Sequence, residues 1–163
     1  MKTLYLVRHA KSSWDEEGLP DEERPLISKG IKKTKRVIGF LKTRDILVGR
    51  ILSSHAVRAR ETALLLAGGL DYPVEEILID RKIYDGYYDR ILDIIYATPD
   101  EIDSLMIVGH NPTITQLANL FLHPGIESMP TSAVVCLSFN TDKWEEIPGT
   151  DGKQEFIYHG KKE

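Results

Sequence analysis

The sequence predicts an α/β fold, a three-layer α/β/α sandwich around a mostly parallel central sheet. Two observations predict it. Short β-rich runs alternate with longer segments of helical periodicity, the order that builds parallel sheets covered on both faces. Three of the short runs also end in polar, chemically capable residues, and ligands of such sheets bind beyond the carboxyl ends of the strands. The 163 residues fit one domain, 1–163. A chain of this length buries roughly two thirds of its unfolded surface.

The elements follow in order. Thr3 to Val7 reads as a buried central strand. Residues 10 to 27, with Gly18, Pro20 and Pro25, read as a long loop. Ser28 is placed to cap a helix whose inner face carries Ile31, Thr34, Ile38 and Leu41. Arg50 to Ser53 is a second short strand. Ala56 to Ala67 is a helix that Gly68 and Gly69 should end. Ile77 to Ile79 is a short third strand. Ile91, Leu92, Ile94 and Ile95 line a helix that stops before Pro99. Ser104 to Val108 is a fourth strand. Asn111 should then cap a helix with Pro112 at its first position and Ile114, Leu117, Ala118 and Phe121 on its inner face. Ala133 to Phe139 is a further strand, and Glu155 to Tyr158 pairs at an edge.

Composition narrows the function. The chain is 42% hydrophobic and carries a net charge of −4, so it lacks the cationic excess of a nucleic-acid surface. The basic run Lys32, Lys33, Lys35, Arg36 reads as the solvated face of a helix. No apolar stretch approaches the roughly 20 residues of a membrane helix, and the N-terminus has no long apolar leader. One cysteine, Cys136, excludes an internal disulfide and suits a reducing compartment. A cytoplasmic protein with neither nucleic-acid nor membrane partner is the expectation.

The strand ends carry the chemistry. The first strand runs into Arg8-His9, the second into Ser53-Ser54 with Arg58 just beyond, and the fourth into Gly109-His110-Asn111. If these strands are parallel neighbours, two guanidinium groups and two imidazoles meet at one edge. Arginine matches phosphate geometry and stays charged at any working pH. Helix N-termini following His55 and Asn111 would add backbone donors. Such a pocket suits a phosphoryl group, whose transition state spreads charge over three equatorial oxygens. A histidine with one ring nitrogen held as donor, often by a backbone carbonyl, presents the other as a nucleophile. His9, His55 and His110 lack the spacing of metal ligands, and no Asp, Glu or Cys cluster accompanies them.

R-H-A-K at 8–11, S-S-H-A-V-R-A-R-E-T at 53–62 and V-G-H-N-P at 108–112 resemble the three signature blocks of the histidine phosphatase superfamily. The opening R-H-A-K-S-S-W-D, followed by D-E-E-R-P-L-I-S-K-G, is similar to the small SixA-type phosphohistidine phosphatase branch. The resemblance runs from about Lys2 to Thr115. It implies a phosphoglycerate mutase-like sandwich, no metal and no other cofactor. It also implies His9 as the phosphorylated nucleophile, and Arg8, Arg58 and His110 as the phosphate clamp. Ser12 and Asn111 are further phosphate contacts under this resemblance, and Arg24 braces the loop. Asp85, in Tyr84-Asp85-Gly86-Tyr87-Tyr88-Asp89, is the candidate proton donor, with a turn or cap role as its alternative. Trp14 either walls the pocket or packs the loop down.

Larger superfamily members roof the site with inserted segments. The stretch between Ser54 and Ile107 leaves little room for one. The expected substrate is therefore a phosphohistidine on a partner protein, with inorganic phosphate as product. The alternatives are a phosphatase of a small phosphorylated metabolite or of another phosphoprotein side chain, and a non-catalytic phosphate-binding module.

Overall fold

The computed structural model describes residues 1–14 and 18–160. Asp15, the last residue of the opening block, lies outside the described residues. In chain order the elements are β1 (Lys2–Arg8), α1 (Ser28–Thr43), β2 (Arg50–Ser53), α2 (Val57–Gly69), β3 (Leu78–Ile79), α3 (Lys82–Asp85), α4 (Tyr88–Tyr96), β4 (Ser104–Gly109), α5 (Thr113–Asn119), β5 (Val134–Phe139) and β6 (Lys153–Tyr158). The strands form one sheet in the order β3-β2-β4-β1-β5-β6. β1, β4, β2 and β3 pair in parallel, and β5 runs antiparallel to both its neighbours, β1 and β6. The predicted mostly parallel sheet is present, with β5 as its reversed strand.

Alternation along the strands makes the two faces. Leu4 and Leu6 of β1 belong to a core with Ile91 and Ile95 of α4 and Ile114 and Leu117 of α5. Tyr5 and Val7 point to the other face, toward Val37 and Leu41 of α1 and Ala59, Ala63 and Leu66 of α2. The alanines of α2 leave room for the helix to lie close on the sheet. Lys2 is 1% exposed at the start of β1. Its ammonium donates to the Asp100 and Ile102 carbonyls and pairs with Asp103 Oδ1 at 3.1 Å, which satisfies a charge that would be costly to bury alone.

Some helix ends differ from the expectation. Ser28 makes no side-chain cap, and the residue before the α1 helix is Ile27. α2 includes Gly68 and ends at Gly69, with Leu70 as its C-cap, so the glycines close the helix in its last turn. α5 starts at Thr113, and Asn111 spends its side chain elsewhere.

Register fixes the site. Arg8 pairs with Gly109, and Ser53 with Val108, so the carboxyl ends of β1, β4 and β2 lie side by side. The long loop after β1 returns over this edge through a bridge between Ser12 and Leu26 and a 3-10 turn at Asp21–Glu23. Gly30 lets α1 seat directly on it. A Cβ there would overlap the Lys11 carbonyl oxygen and lie 2.8 Å from the Lys11 nitrogen.

Candidate active site

His9 sits one residue past β1, 8% exposed, with its backbone N–H donating to the Gly109 carbonyl at 3.0 Å. Ala10 N–H donates to Thr62 Oγ1 at 2.9 Å, and Thr62 in turn donates to the Arg58 carbonyl at 2.7 Å. The segment carrying His9 is thus tied to the helix carrying Arg58. Nδ1 of His9 lies 2.7 Å from the Ala10 carbonyl. A carbonyl only accepts, so Nδ1 carries the proton and Nε2 keeps its lone pair. Burial holds the His9 imidazole down to about 4, opposed by the bond to Ala10 and reinforced by Arg58, Arg8 and Arg24.

Arg8, His9, Arg58 and His110 line one cavity of about 460 Å³, together with Ser12, Asn111 and Trp14. Four strand-end groups foreseen in the sequence therefore do meet. Arg8 donates through Nη1 to the Met129 carbonyl at 2.9 Å. Burial lowers its basicity but leaves it charged. Arg58 is 5% exposed and donates Nη1 and Nη2 to the carbonyl and carboxylate of Asp21, at 2.6 and 2.9 Å. His110 Nε2 lies 2.7 Å from Ser54 Oγ, which itself accepts from Ala56 N–H. A Ser54 hydroxyl that donates to Nε2 leaves the ring proton on Nδ1. Burial and the neighbouring His9 and Arg58 hold His110 down to about 3. The His9 and His110 rings are 5.0 Å apart.

Three buried nitrogens of these residues have no partner within the protein: Arg8 Nε, Arg58 Nε and His110 Nδ1. Buried donors are almost always satisfied, and these three belong to residues that line one cavity, so an acceptor held there would meet donors the protein leaves unpaired. Three donors and one free nucleophilic nitrogen match a phosphoryl group with three peripheral oxygens.

Two residues of this site were missed in the sequence. Asp21 lines the cavity and gathers four donors: Arg24 Nε and Nη2, Arg58 Nη2 and the Tyr84 hydroxyl at 2.7 Å. Burial works against its charge, but these donors prevail and hold the carboxyl down to about 2. Tyr84 also packs edge-on against His110. The D-x-x-R spacing of Asp21 and Arg24 was the available signal. One 3-10 turn puts these positions on the same side.

The remaining assignments divide. Ser12 lines the cavity, but its hydroxyl accepts from Arg24 Nη1 at 2.8 Å. Asn111 also lines it, yet its amide donates to Ser128 Oγ and the Met129 carbonyl while its oxygen accepts from Thr115. That triple commitment is why it does not cap α5. Arg24 braces the loop as expected and stacks on Trp14 at 3.6 Å. Asp85 lies exposed at the end of the four-residue helix α3 and is not among the residues lining the cavity. Its backbone N–H donates to the Arg81 carbonyl, so it closes a turn, and the turn points its neighbour Tyr84 at the site instead. Among the described residues no group of three His, Cys, Asp or Glu side chains is placed to hold a metal, and no helix is long and apolar enough to cross a membrane.

The cavity with two histidines and three arginines lies at the carboxyl edge of a mostly parallel sheet, and similarity to known proteins gives the class. Residues 4–83 match the model of the histidine phosphatase superfamily, branch 1. An uncharacterized protein of Mycobacterium leprae is 30% identical over 154 residues, covering 86% of this chain and 91% of the relative. An uncharacterized chloroplastic protein of Arabidopsis thaliana is 32% identical over 160 residues, covering 93% of this chain and 72% of the relative. The chain belongs to the histidine phosphatase superfamily. Its fold is similar to that of the protein histidine phosphatase SixA complexed with tungstate, with a TM-score of 0.81 and 19% identity over 97% of each chain. A mycobacterial glucosyl-3-phosphoglycerate phosphatase shares the fold at a TM-score of 0.69 and 15% identity, over 98% of this chain and 99% of that one.

Proposed function

We propose that this chain is a single-domain, metal-independent phosphatase that removes the phosphoryl group from phosphohistidine on a partner protein. The observation that carries it is the pairing of a free His9 Nε2 with three unpartnered donors, Arg8 Nε, Arg58 Nε and His110 Nδ1, on residues lining the same cavity. His9 Nε2 attacks phosphorus, a new P–N bond forms, and the P–N bond of the substrate breaks. The substrate imidazole departs with the electron pair, neutral when its other ring nitrogen carries a proton. Water then attacks phospho-His9, releasing inorganic phosphate and restoring the neutral imidazole. The donors meet the oxygens on which charge develops, and His110, held neutral, serves as donor rather than acid.

The substrate reading has two supports. Among the described residues the carboxylate lining the cavity, Asp21, is held ionised by its donors, and Asp85 is not among the lining residues, so these residues offer few protons to an alkoxide leaving group. An imidazole needs less help. The segment from β2 to β4 holds only short elements around α2, and the fold follows that of SixA over nearly its whole length. A phosphatase of a small phosphorylated metabolite is the second reading, favoured by the shared fold of the glucosyl-3-phosphoglycerate phosphatase. The lone buried thiol of Cys136 suits the cytosol, the location we assign.

Wild type quenched in turnover should carry acid-labile phosphate on His9, and His9→Ala should abolish turnover. Side by side, kcat/KM should be higher on a phosphohistidine protein than on phosphoserine peptides or sugar phosphates, and Asp85→Asn should change it by less than about twofold on either. Activity retained in His9→Ala refutes the mechanism. Faster turnover of a sugar phosphate, with a large Asp85→Asn defect, selects the metabolite reading.

A further inference from the structure

We propose that Asp21 is a positioning residue that aims Arg58 at the phosphoryl group, and that its charge inside the cavity weakens anion binding in the ground state while raising the rate of the chemical step. This rests on the reading of the cavity as a phosphatase site.

The geometry is specific. Arg58 stands in the first turn of α2 with a side chain of many rotamers, and the described residues hold its fork through one residue, Asp21. Two contacts, one to the carbonyl and one to the carboxylate, fix the plane of the guanidinium. They leave Nε–H without a partner, on a residue that lines the cavity. Asp21 is fixed in turn. Arg24 clamps Oδ1, the Tyr84 hydroxyl and Arg58 take Oδ2, and Arg24 is itself pinned by Ser12, the Ser13 carbonyl and the face of Trp14. A guanidinium without such an anchor samples other rotamers. Misplacement of a reacting or stabilising group by about 1 Å costs on the order of 100-fold in rate.

The same carboxylate lines the cavity that takes the anion. Three arginines, Arg8, Arg24 and Arg58, line it as well, so Asp21 removes part of a strongly attractive field. A bound phosphate would be held too firmly by an uncompensated clamp, and binding the ground state and the transition state equally well adds nothing to kcat. Asp21 thus separates the two: it lowers affinity for any bound anion and secures alignment for the one that is reacting.

A positioning role and a merely structural one differ in two readouts. In Asp21→Ala, kcat should fall by about 10- to 100-fold, while the dissociation constant of inorganic phosphate or tungstate, measured by calorimetry, stays the same or decreases. In an Arg58→Ala background the same Asp21→Ala change should cost less than about threefold in kcat, because the group it aims is already gone. Asp21→Asn, which keeps the shape and removes the charge, guards against loss of the fold and should also bind tungstate at least as tightly as wild type. Weaker tungstate binding in both Asp21 variants, or fully additive losses with Arg58→Ala, would overturn the proposal while leaving His9 chemistry intact. Absence of turnover in wild type would instead strike the phosphatase reading, and the tungstate measurements would still decide the effect of Asp21 on anion binding.

Discussion

Lowering the pH toward 5 should leave His9 a competent nucleophile and should cost the fold stability. In the folded protein the His9 imidazole is held down to about 4 by burial and by Arg58, Arg8 and Arg24. Unfolded, it returns to about 6.5. At about pH 5 the folded ring is then about nine-tenths neutral, where an ordinary imidazole would be about 3% neutral. The sign for stability follows from the protons bound. Between the two values the unfolded chain binds more protons than the folded one, so stability is full above about 6.5 and is lost as pH falls toward about 4. For His9 the loss between about pH 7 and pH 5 is on the order of 2 kcal/mol. His110, held down to about 3, contributes a loss of the same sign. Denaturant unfolding of wild type and His9→Asn at both pH values measures the His9 share, because asparagine does not titrate. The buffer must be free of phosphate and sulfate, since a bound anion would favour the charged rings. Nitrogen chemical shifts of the rings report the titration directly. A His9 midpoint near the ordinary imidazole value, or equal pH-dependent losses in wild type and His9→Asn, would refute the claim that burial and the arginines keep this ring neutral.

Two further perturbations test the frame around the nucleophile. Arg8→Ala and Arg58→Ala should each lower kcat/KM by about 100- to 1000-fold in steady-state assays, and Arg58→Lys should recover little, because an ammonium cannot reproduce contacts from both Nη and Nε. Near-normal kinetics in Arg58→Lys would reduce Arg58 to a point charge. Gly30→Ala should destabilise the fold by about 1–3 kcal/mol, read by thermal or denaturant unfolding, because the added methyl meets main chain that cannot swing aside. An equally stable Gly30→Ala protein would show that α1 does not seat on the Lys11 backbone.

The parts of the fold legible in the sequence are those set by periodicity and by strand ends. Leu4, Leu6 and their alternates Tyr5 and Val7 announced a strand buried on both faces, and the structure puts β1 between β4 and β5. The meeting of Arg8, His9, Arg58 and His110 followed from three parallel neighbours ending together. What escaped depends on the path of a loop. Asp21 and Tyr84 are 63 positions apart and touch only because the 3-10 turn at Asp21 lies over α3, a contact no local pattern encodes. The same loss of local logic affected Asn111. Its type and place before Pro112 favoured a cap, but Ser128, Met129 and Thr115 offered partners from tertiary contacts, and those prevailed.

The two tryptophans occupy opposite environments, and this gives the protein a native optical readout. Trp144 is fully buried, with its indole N–H donating to the Ile102 carbonyl at 2.7 Å. Trp14 is 78% exposed, stacked on the Arg24 guanidinium, and lines the cavity that holds His9 and Arg58. Light emitted by Trp144 comes from an apolar surrounding and reports the integrity of the core. Light emitted by Trp14 comes from water and a neighbouring cation, is open to a dissolved quencher, and reports the loop that carries Asp21 and Arg24. One emission spectrum therefore contains two signals, one from the core and one from the loop beside the cavity, without any dye attached to the chain.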